Sequence, residues 1–335
     1  MKTIVIAEIG VNHNGDIAIA RRLIDAAAEA KADYVKFQTF VPEKLASAAA
    51  PQAAYQRQNQ PETTDENQLD MLRRLALSET DFYLLADYCA SRGIGFLSSP
   101  FDQESIDLLL RLDIDTWKIP SGEITNYPYL VQIARSGKPV ILSTGMSSLE
   151  EIGEALSVLT ANGLTKEKIT LLHCTTEYPA PYEDVHLHAM RRLGEIFGVK
   201  TGYSDHTEGT AIAVAAAALG ACVIEKHFTL DRQMAGPDHK ASIEPEELKQ
   251  LVASIRAVEK ALEGETKQPL AGEAENRAVA RKSIVAATEI RQGELFTENN
   301  LTTKRPGTGI SPMKWNEIIG TPANRDYKPD ELITL

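Results

Sequence analysis

The sequence has little of what a secreted, membrane-spanning or nucleic-acid-binding protein needs. It contains only three cysteines, Cys89, Cys174 and Cys222. They are scattered, odd in number and without metal spacing, which excludes a disulfide framework and reads as reduced thiols of a cytoplasmic protein. No run approaches the ~20 apolar residues of a membrane span. The opening MKTIVIAEIG has one lysine and a short apolar stretch that meets a carboxylate at Glu8, so it reads as a strand and not as a signal peptide. Basic side chains are outnumbered, 35 against 47 acidic ones, for a net charge of -12. That balance argues against a nucleic-acid or anionic-membrane surface, yet a few convergent lysines can still make a local positive pocket. A glycine-rich nucleotide turn is also missing, and with it the usual mark of a doubly wound open sheet.

What is present is a repeating alternation. The chain has 335 residues, 43% of them apolar, which suits a barrel of about 250 residues with an appendage. Eight short β-branched runs read as strands: Thr3–Gly10, Tyr34–Thr39, Gly95–Pro100, Thr116–Ser121, Pro139–Thr144, Ile169–Cys174, Lys200–Asp205 and Val223–Thr229. Between them lie segments such as IAIARRLIDAAAEAKA and EEIGEALSVLTANG, apolar at i, i+3, i+4 and i+7. Strand then helix, eight times, predicts an α/β fold of the TIM (β/α)8 barrel type. The Gln-, Ala-, Thr- and Pro-rich stretch Ala46–Asp70 breaks the rhythm and reads as a long loop after the second strand. The last barrel helix is expected at Glu244–Glu263. The catalytic domain then spans 1–265, a polar, small-residue linker 266–282, and a compact, mostly-β module 283–335. That module is small enough to be marginal alone.

In such a barrel the C-terminal strand ends build the site. Read in order they supply Glu8, Lys36 with Gln38, Ser99, Lys118 with Ser121, Ser143, Tyr178, Ser204 with His206, and His227. A buried lysine without an anion is costly. Each lysine could pair with a carboxylate such as Glu8 or Glu123, but two of them beside four serines favour a multiply charged anionic ligand. His206 and His227 end neighbouring strands, and two imidazoles with water and substrate oxygens suit Mn2+, Fe2+, Co2+ or Zn2+ in an open site. Glu8 reads equally as a general base, a water positioner or metal partner, and as the salt-bridge partner of Lys36. His239, in GPDHKAS, is a weaker candidate, structural or near substrate. His13, in the NHNG turn, reads as turn-fixing or supporting. His186 and His188 read as surface positions, and His173 lies within strand six.

These residues sit in blocks that occur in order: AEIGVNHNG, VKFQTF, FLSSPFD, WKIPSGEI, LSTGMSSLEEI, LHCTTEYPAP, GYSDHTEG, IEKHFTLD and GPDHKAS. Together they resemble the sialic acid synthase family, and the C-terminal KRPGTGISP resembles its antifreeze-like (SAF) domain. The resemblance covers essentially the whole chain. It implies a transferase that forms a carbon–carbon bond: C3 of phosphoenolpyruvate attacks the open-chain aldehyde of an N-acylated mannose-like sugar, water attacks C2, and phosphate leaves. It implies a divalent metal on His206 and His227, Mn2+ first, with Mg2+ or Co2+ as alternatives. Lys36, Lys118, Ser121, Ser143 and Ser204 match family positions that hold phosphoenolpyruvate, and Glu8 matches the carboxylate that handles water or protons. Gln38, Tyr178 and Asp238 match sugar contacts, and Ser99, Glu123 and Thr176 complete the implied substrate-binding set. Arg305 matches an arginine that reaches the sugar of the partner subunit, which implies a domain-swapped homodimer.

Within the family, strand six continues Thr175-Thr176-Glu177-Tyr178. Neuraminate synthases typically carry Asn at the place of Thr176 and an aliphatic residue at that of Glu177. The TTEYPAP form resembles the bacterial legionaminate branch, whose sugar is 2,4-diacetamido-2,4,6-trideoxymannose. That sugar lacks the 6-hydroxyl and carries a second acetamido group, so a changed polar edge of the pocket is expected. Neuraminate synthesis from N-acetylmannosamine and pseudaminate synthesis are the alternatives inside the family. A barrel acting on a phosphorylated sugar would need a further basic cluster, which is missing. A barrel without catalysis would not need the lysines, histidines and Glu8 together.

Overall fold

The computed structural model describes residues 2–47, 51–52 and 67–335. It divides into two compact units, Met1–Glu263 and Gly264–Leu335.

The first unit is built on eight parallel strands: β1 (Ile4–Gly10), β2 (Tyr34–Thr39), β3 (Gly95–Pro100), β4 (Trp117–Ile119), β5 (Val140–Ser143), β6 (Ile169–His173), β7 (Lys200–Asp205) and β8 (Val223–His227). Their hydrogen-bonded order runs β3-β2-β1-β8-β7-β6-β5-β4. β3 and β4 lie side by side, so the sheet curls into a barrel. All eight strands coincide with the expected runs to within two residues at either end, β4 and β8 each closing two residues early. Ser121 belongs to the 3-10 turn Ser121–Glu123 that follows β4. Pro120 lacks an N–H for a ladder bond, which stops the strand there.

Strand alternation sorts the side chains. Ile6, Leu97, Ile141, Leu172 and Val223 fill the barrel's interior as one apolar cluster. Two positions further along the same strands stand Glu8, Ser99, Ser143, Cys174 and Glu225, so the next interior level is polar. The outward residues pack under helices such as Ile17–Glu29, Leu149–Ala161 and Pro245–Ala261. The helix starts follow their sequence: Asp16, Ser78, Asp102 and Ser148 accept first-turn backbone N–H groups.

One outward pair is ionic. Asp205 and Lys226 are partners in the β7–β8 register, and their charges meet at 2.8 Å with both side chains fully buried. Lys226 Nζ also donates to the Thr207 carbonyl, and Thr207 N and Oγ1 donate to Asp205 Oδ1 at 3.0 and 2.8 Å. Every charge is matched locally, which is what makes such burial tolerable.

Much of the expected Ala46–Asp70 loop, residues 48–50 and 53–66, lies outside the described residues. Its end is helical: Gln68–Leu75 starts with Asn67 accepting from Asp70 N at 2.9 Å. Among the described residues no helix is long and apolar enough to cross a membrane.

The second unit pairs β9 (Ser283–Ala286) with β10 (Leu301–Lys304), antiparallel. Isolated bridges Val285–Leu332, Ile290–Tyr327 and Leu295–Pro322 tie in the remaining loops. Ile284, Ile290, Phe296, Leu301, Ile318, Tyr327 and Ile333 give it a core of its own. The stretch expected as a linker, 266–282, is not structureless. It holds the helix Ala274–Ala280, and Gly307 N donates to Ala278 O at 2.7 Å. Its side chains are nearly all exposed, so composition reads as linker while backbone hydrogen bonds make it part of the unit.

Lys226→Met is expected to lower barrel stability by about 3–5 kcal/mol, because it leaves the Asp205 carboxylate buried without its cation. Urea unfolding followed by far-ultraviolet dichroism measures this. A loss below about 1 kcal/mol would show that Asp205 regains water or a proton at little cost.

Candidate active site

The polar level at the C-terminal end of the barrel lines a cavity of about 330 Å³, a size within the range of small-molecule sites. Of the residues proposed from sequence, Glu8, Lys36, Gln38, Ser99, Lys118, Ser121, Ser143, Thr176, Tyr178, Ser204, His206, His227 and Asp238 all line it. Glu123 does not. Its carboxylate accepts from Asn126 Nδ2 at 2.6 Å at the start of the next helix, so the turn after β4 presents Ser121 and Gly122 instead. Arg305 belongs to the second unit, exposed just after β10.

The lysines are buried among carboxylates. Lys36 Nζ lies 2.6 Å from Glu8 Oε2 and 3.7 Å from Glu225 Oε1. Lys118 Nζ lies 3.7 Å from Glu225 Oε2 and donates to Ser143 Oγ at 2.7 Å. Lys36 also donates to Ser99 Oγ at 3.3 Å, and Gln38 Nε2 to Glu8 Oε1 at 3.3 Å. Carboxylate pairing of the lysines is therefore real, with Glu8 and Glu225 as the partners and not Glu123. Two lysines and two glutamates form a balanced set at the floor of an open cavity, and Lys118 has only the longer ion contact.

Glu225 is the residue that sequence reasoning missed. The signal was available: it stands two positions before His227, as Ser204 stands two before His206, so both share the inward face. It also accepts from Ser204 Oγ at 3.3 Å. Gly10 is required beside this cluster. It has φ 54°, and a Cβ there would meet Glu8 Oε1 at 2.9 Å.

Burial and neighbours set the protonation states. Burial pushes Glu8 up to about 7, although Lys36 pulls the other way. Burial also raises Glu225, but Lys118 and Lys36 outweigh it and hold that carboxyl below its usual range. Burial depresses Lys118, with Glu225 opposing. Asp238 is raised to about 6 by burial.

The histidines come together. The His206 and His227 rings are 5.5 Å apart between centroids, and Tyr178 lies 4.3 Å from the first and edge-on to the second at 5.6 Å. Burial lowers His206 to about 4 and His227 well below its usual range, so both are neutral near pH 7. His206 Nδ1 donates to the Thr175 carbonyl at 2.5 Å, which leaves Nε2 as the unprotonated nitrogen, 3.3 Å from Ser204 Oγ. His227 Nδ1 is buried without a hydrogen-bond partner. Two neutral nitrogen donors, one oriented by a carbonyl and one carrying an orphaned atom, fit a divalent ion. Among the described residues no group of three or more His, Cys, Asp or Glu could hold a metal. The remaining positions of such an ion would fall to water and substrate oxygens.

Other expected histidines do different work. His13 Nδ1 accepts from Gly15 N at 3.0 Å and fixes its turn. His239 is fully buried, 2.7 Å from Thr229 Oγ1 and 3.4 Å from Asn14 Oδ1, and pins the loop that carries Asp238. His173 contacts the Val185 carbonyl at 2.6 Å. His186 and His188 are exposed. Of the two branch-marking residues, Thr176 reaches the cavity, whereas Glu177 is exposed.

The chain is similar to known proteins over both units. Residues 23–267 match the NeuB family and residues 281–335 the SAF domain. The N,N'-diacetyllegionaminic acid synthase of Campylobacter jejuni is 53% identical over 332 residues, covering 99% of each chain. That of Legionella pneumophila is 46% identical over 324 residues, covering 96% of this chain and 90% of its own. Among solved structures, the N-acetylneuraminic acid synthetase of Leptospira borgpetersenii in complex with citrate has a TM-score of 0.70. It is 34% identical, over 82% of this chain and 90% of that one. With the family match covering most of the first unit and a relative 53% identical over 99% of the chain, the chain belongs to the NeuB family and carries a SAF domain at its C-terminal end.

Proposed function

We propose that the chain condenses phosphoenolpyruvate with 2,4-diacetamido-2,4,6-trideoxymannose and water, releasing phosphate and N,N'-diacetyllegionaminate. The observation that carries this reading is the convergence of two buried lysines and two neutral histidines in one cavity. The identity of 53% to a legionaminic acid synthase, against 34% to a neuraminic acid synthetase, supports the choice of sugar.

Each group has a task. Lys36 and Lys118, with Ser121, Ser143 and Ser204, would hold the carboxylate and phosphate of phosphoenolpyruvate, whose charge draws the lysines from Glu225. Held there, C3 faces the aldehyde carbon of the sugar, which Gln38, Tyr178 and Asp238 orient. A divalent ion on His206 and His227, Mn2+ first, would polarise the aldehyde oxygen as a Lewis acid. Glu8 titrates near neutrality, so it can take a proton from the water that adds to C2 and give it up later. The collapse of that tetrahedral centre expels phosphate. Three free cysteines support a reducing compartment, the cytoplasm.

The deciding experiment supplies purified protein with Mn2+, phosphoenolpyruvate and each candidate sugar, and records phosphate release. The diacetamido-trideoxy sugar should show the higher kcat/KM, and a preference for N-acetylmannosamine would move the chain to the neuraminate branch.

His206→Ala and His227→Ala should each abolish condensation while the far-ultraviolet dichroism stays unchanged. Chelation by EDTA should do the same, reversed by added Mn2+. Full turnover in the metal-free protein would refute the metal assignment.

Arg305 completes the proposal by serving the site of a second copy, in a domain-swapped homodimer, where its planar fork donates to the acyl oxygen of the sugar. Mixing inactive Arg305→Ala and His227→Ala proteins should restore part of the activity once subunits exchange, because one site then has both groups. Exchange without recovered activity would place Arg305 in its own chain's site or in none.

A further inference from the structure

The cavity has two unlike sides. The side under β6, β7 and β8 is polar, with Thr176, Tyr178 and the histidines. The opposite side carries an apolar wall beside Gln38 and Gln68. Leu45 closes the short helix Pro42–Leu45, Met71 and Leu72 come from the helix Gln68–Leu75, and Phe101 follows β3. These four line the cavity and belong to one apolar cluster with Val11, Phe40 and Leu75, apart from the barrel cores. The helix pattern explains the placement. Gln68, Met71, Leu72 and Leu75 fall at i, i+3, i+4 and i+7 and form one stripe, while Asp70, Arg73 and Arg74 are exposed on the other face. Met71 is 2% and Leu72 7% exposed, and Gln68 is the only polar residue of the stripe.

Position in the ring makes this side a far end. In an eight-stranded barrel β2 and β3 stand across the mouth from β6 and β7. With its aldehyde carbon by His206 and His227, an extended sugar would span the mouth toward Leu45, Met71, Leu72 and Phe101. A hydroxymethyl group against those four side chains would bury its hydroxyl on hydrocarbon, with Gln68 the polar residue of that helix face that lines the cavity. A methyl group would fill the same space and lose nothing.

We propose that Leu45, Met71, Leu72 and Phe101 form the subsite that receives carbon 6 of the sugar and selects a methyl group over a hydroxymethyl group. This rests on the reading of the cavity as a phosphoenolpyruvate–aldose condensing site, and it places the discrimination on the wall opposite the branch-marking Thr176.

The test compares two sugars that differ only at carbon 6, N-acetylmannosamine and its 6-deoxy analogue, with Mn2+ and phosphoenolpyruvate. The wild type should favour the 6-deoxy sugar by about tenfold or more in kcat/KM, within what an apolar pocket achieves against an added hydroxyl. Met71→Gln and Leu72→Gln should bring that ratio close to one, with KM for phosphoenolpyruvate changed less than about twofold, while Met71→Leu keeps the preference. Leu45→Asn, at a half-buried position outside the barrel cores, gives the same reading if a core variant fails to fold. A wild type indifferent to carbon 6, or variants that slow both sugars equally, would overturn the proposal. The diacetamido sugar run alongside separates the two readings. Preference for it without any carbon 6 effect removes the wall and keeps the branch. A carbon 6 effect without preference for it keeps the wall and removes the branch.

Discussion

Four buried charges organise this protein. Glu8, Lys36, Lys118 and Glu225 come from four strands and are each at most 5% exposed. None of them is tolerable there alone, since an unpaired ion away from water costs several kcal/mol. They are tolerable together because the barrel brings the ends of β1, β2, β4 and β8 around one axis. The balance is also fragile in a useful way. Glu225 sits 3.7 Å from both lysines, near enough to neutralise them and far enough for an anion to compete.

The same two-residue period carries the neighbouring chemistry. Along β7 and just past it, Ser204 and His206 face in while Asp205 faces the helices. Along β8, Glu225 and His227 face in while Lys226 faces out. Each imidazole thus follows directly on a residue of the Asp205–Lys226 pair. The outward ion pair holds the backbone on which the inward histidines depend, and the Thr175 carbonyl fixes one ring further. The two imidazoles set this way are anchored from both faces of the barrel wall.

The site is polar on its floor and on the β6–β8 side, and opposite them it carries an apolar wall beside Gln38 and Gln68. That asymmetry matches a reaction between a small, highly charged enol phosphate and a sugar with hydrocarbon substituents. The relatives at 53% and 46% identity carry the name of an N,N'-diacetyllegionaminic acid synthase. Relatives explain the family, while the wall explains how one member can distinguish its sugar from others.

The sequence alone determined the barrel, because β-branched runs and 3.6-residue periodicity are local properties that tertiary packing here reinforces. It also determined most of the site, since strand-end position in this fold is a positional rule: Lys36, Ser143 and His227 could be named from their place in a run. Three things depended on the folded chain. Glu225 looked like one more charge inside VIEKHF until the register set it beside Ser204 and between two lysines. Glu123 looked like a strand-end carboxylate until the turn after β4 gave it to Asn126. Met71 and Leu72 lay in or beside a stretch read as loop, because an eight-residue helix with a polar preface gives too short a periodic signal. Which charges pair, and which apolar residues meet a cavity, are relations between distant segments, and only the closed barrel decides them.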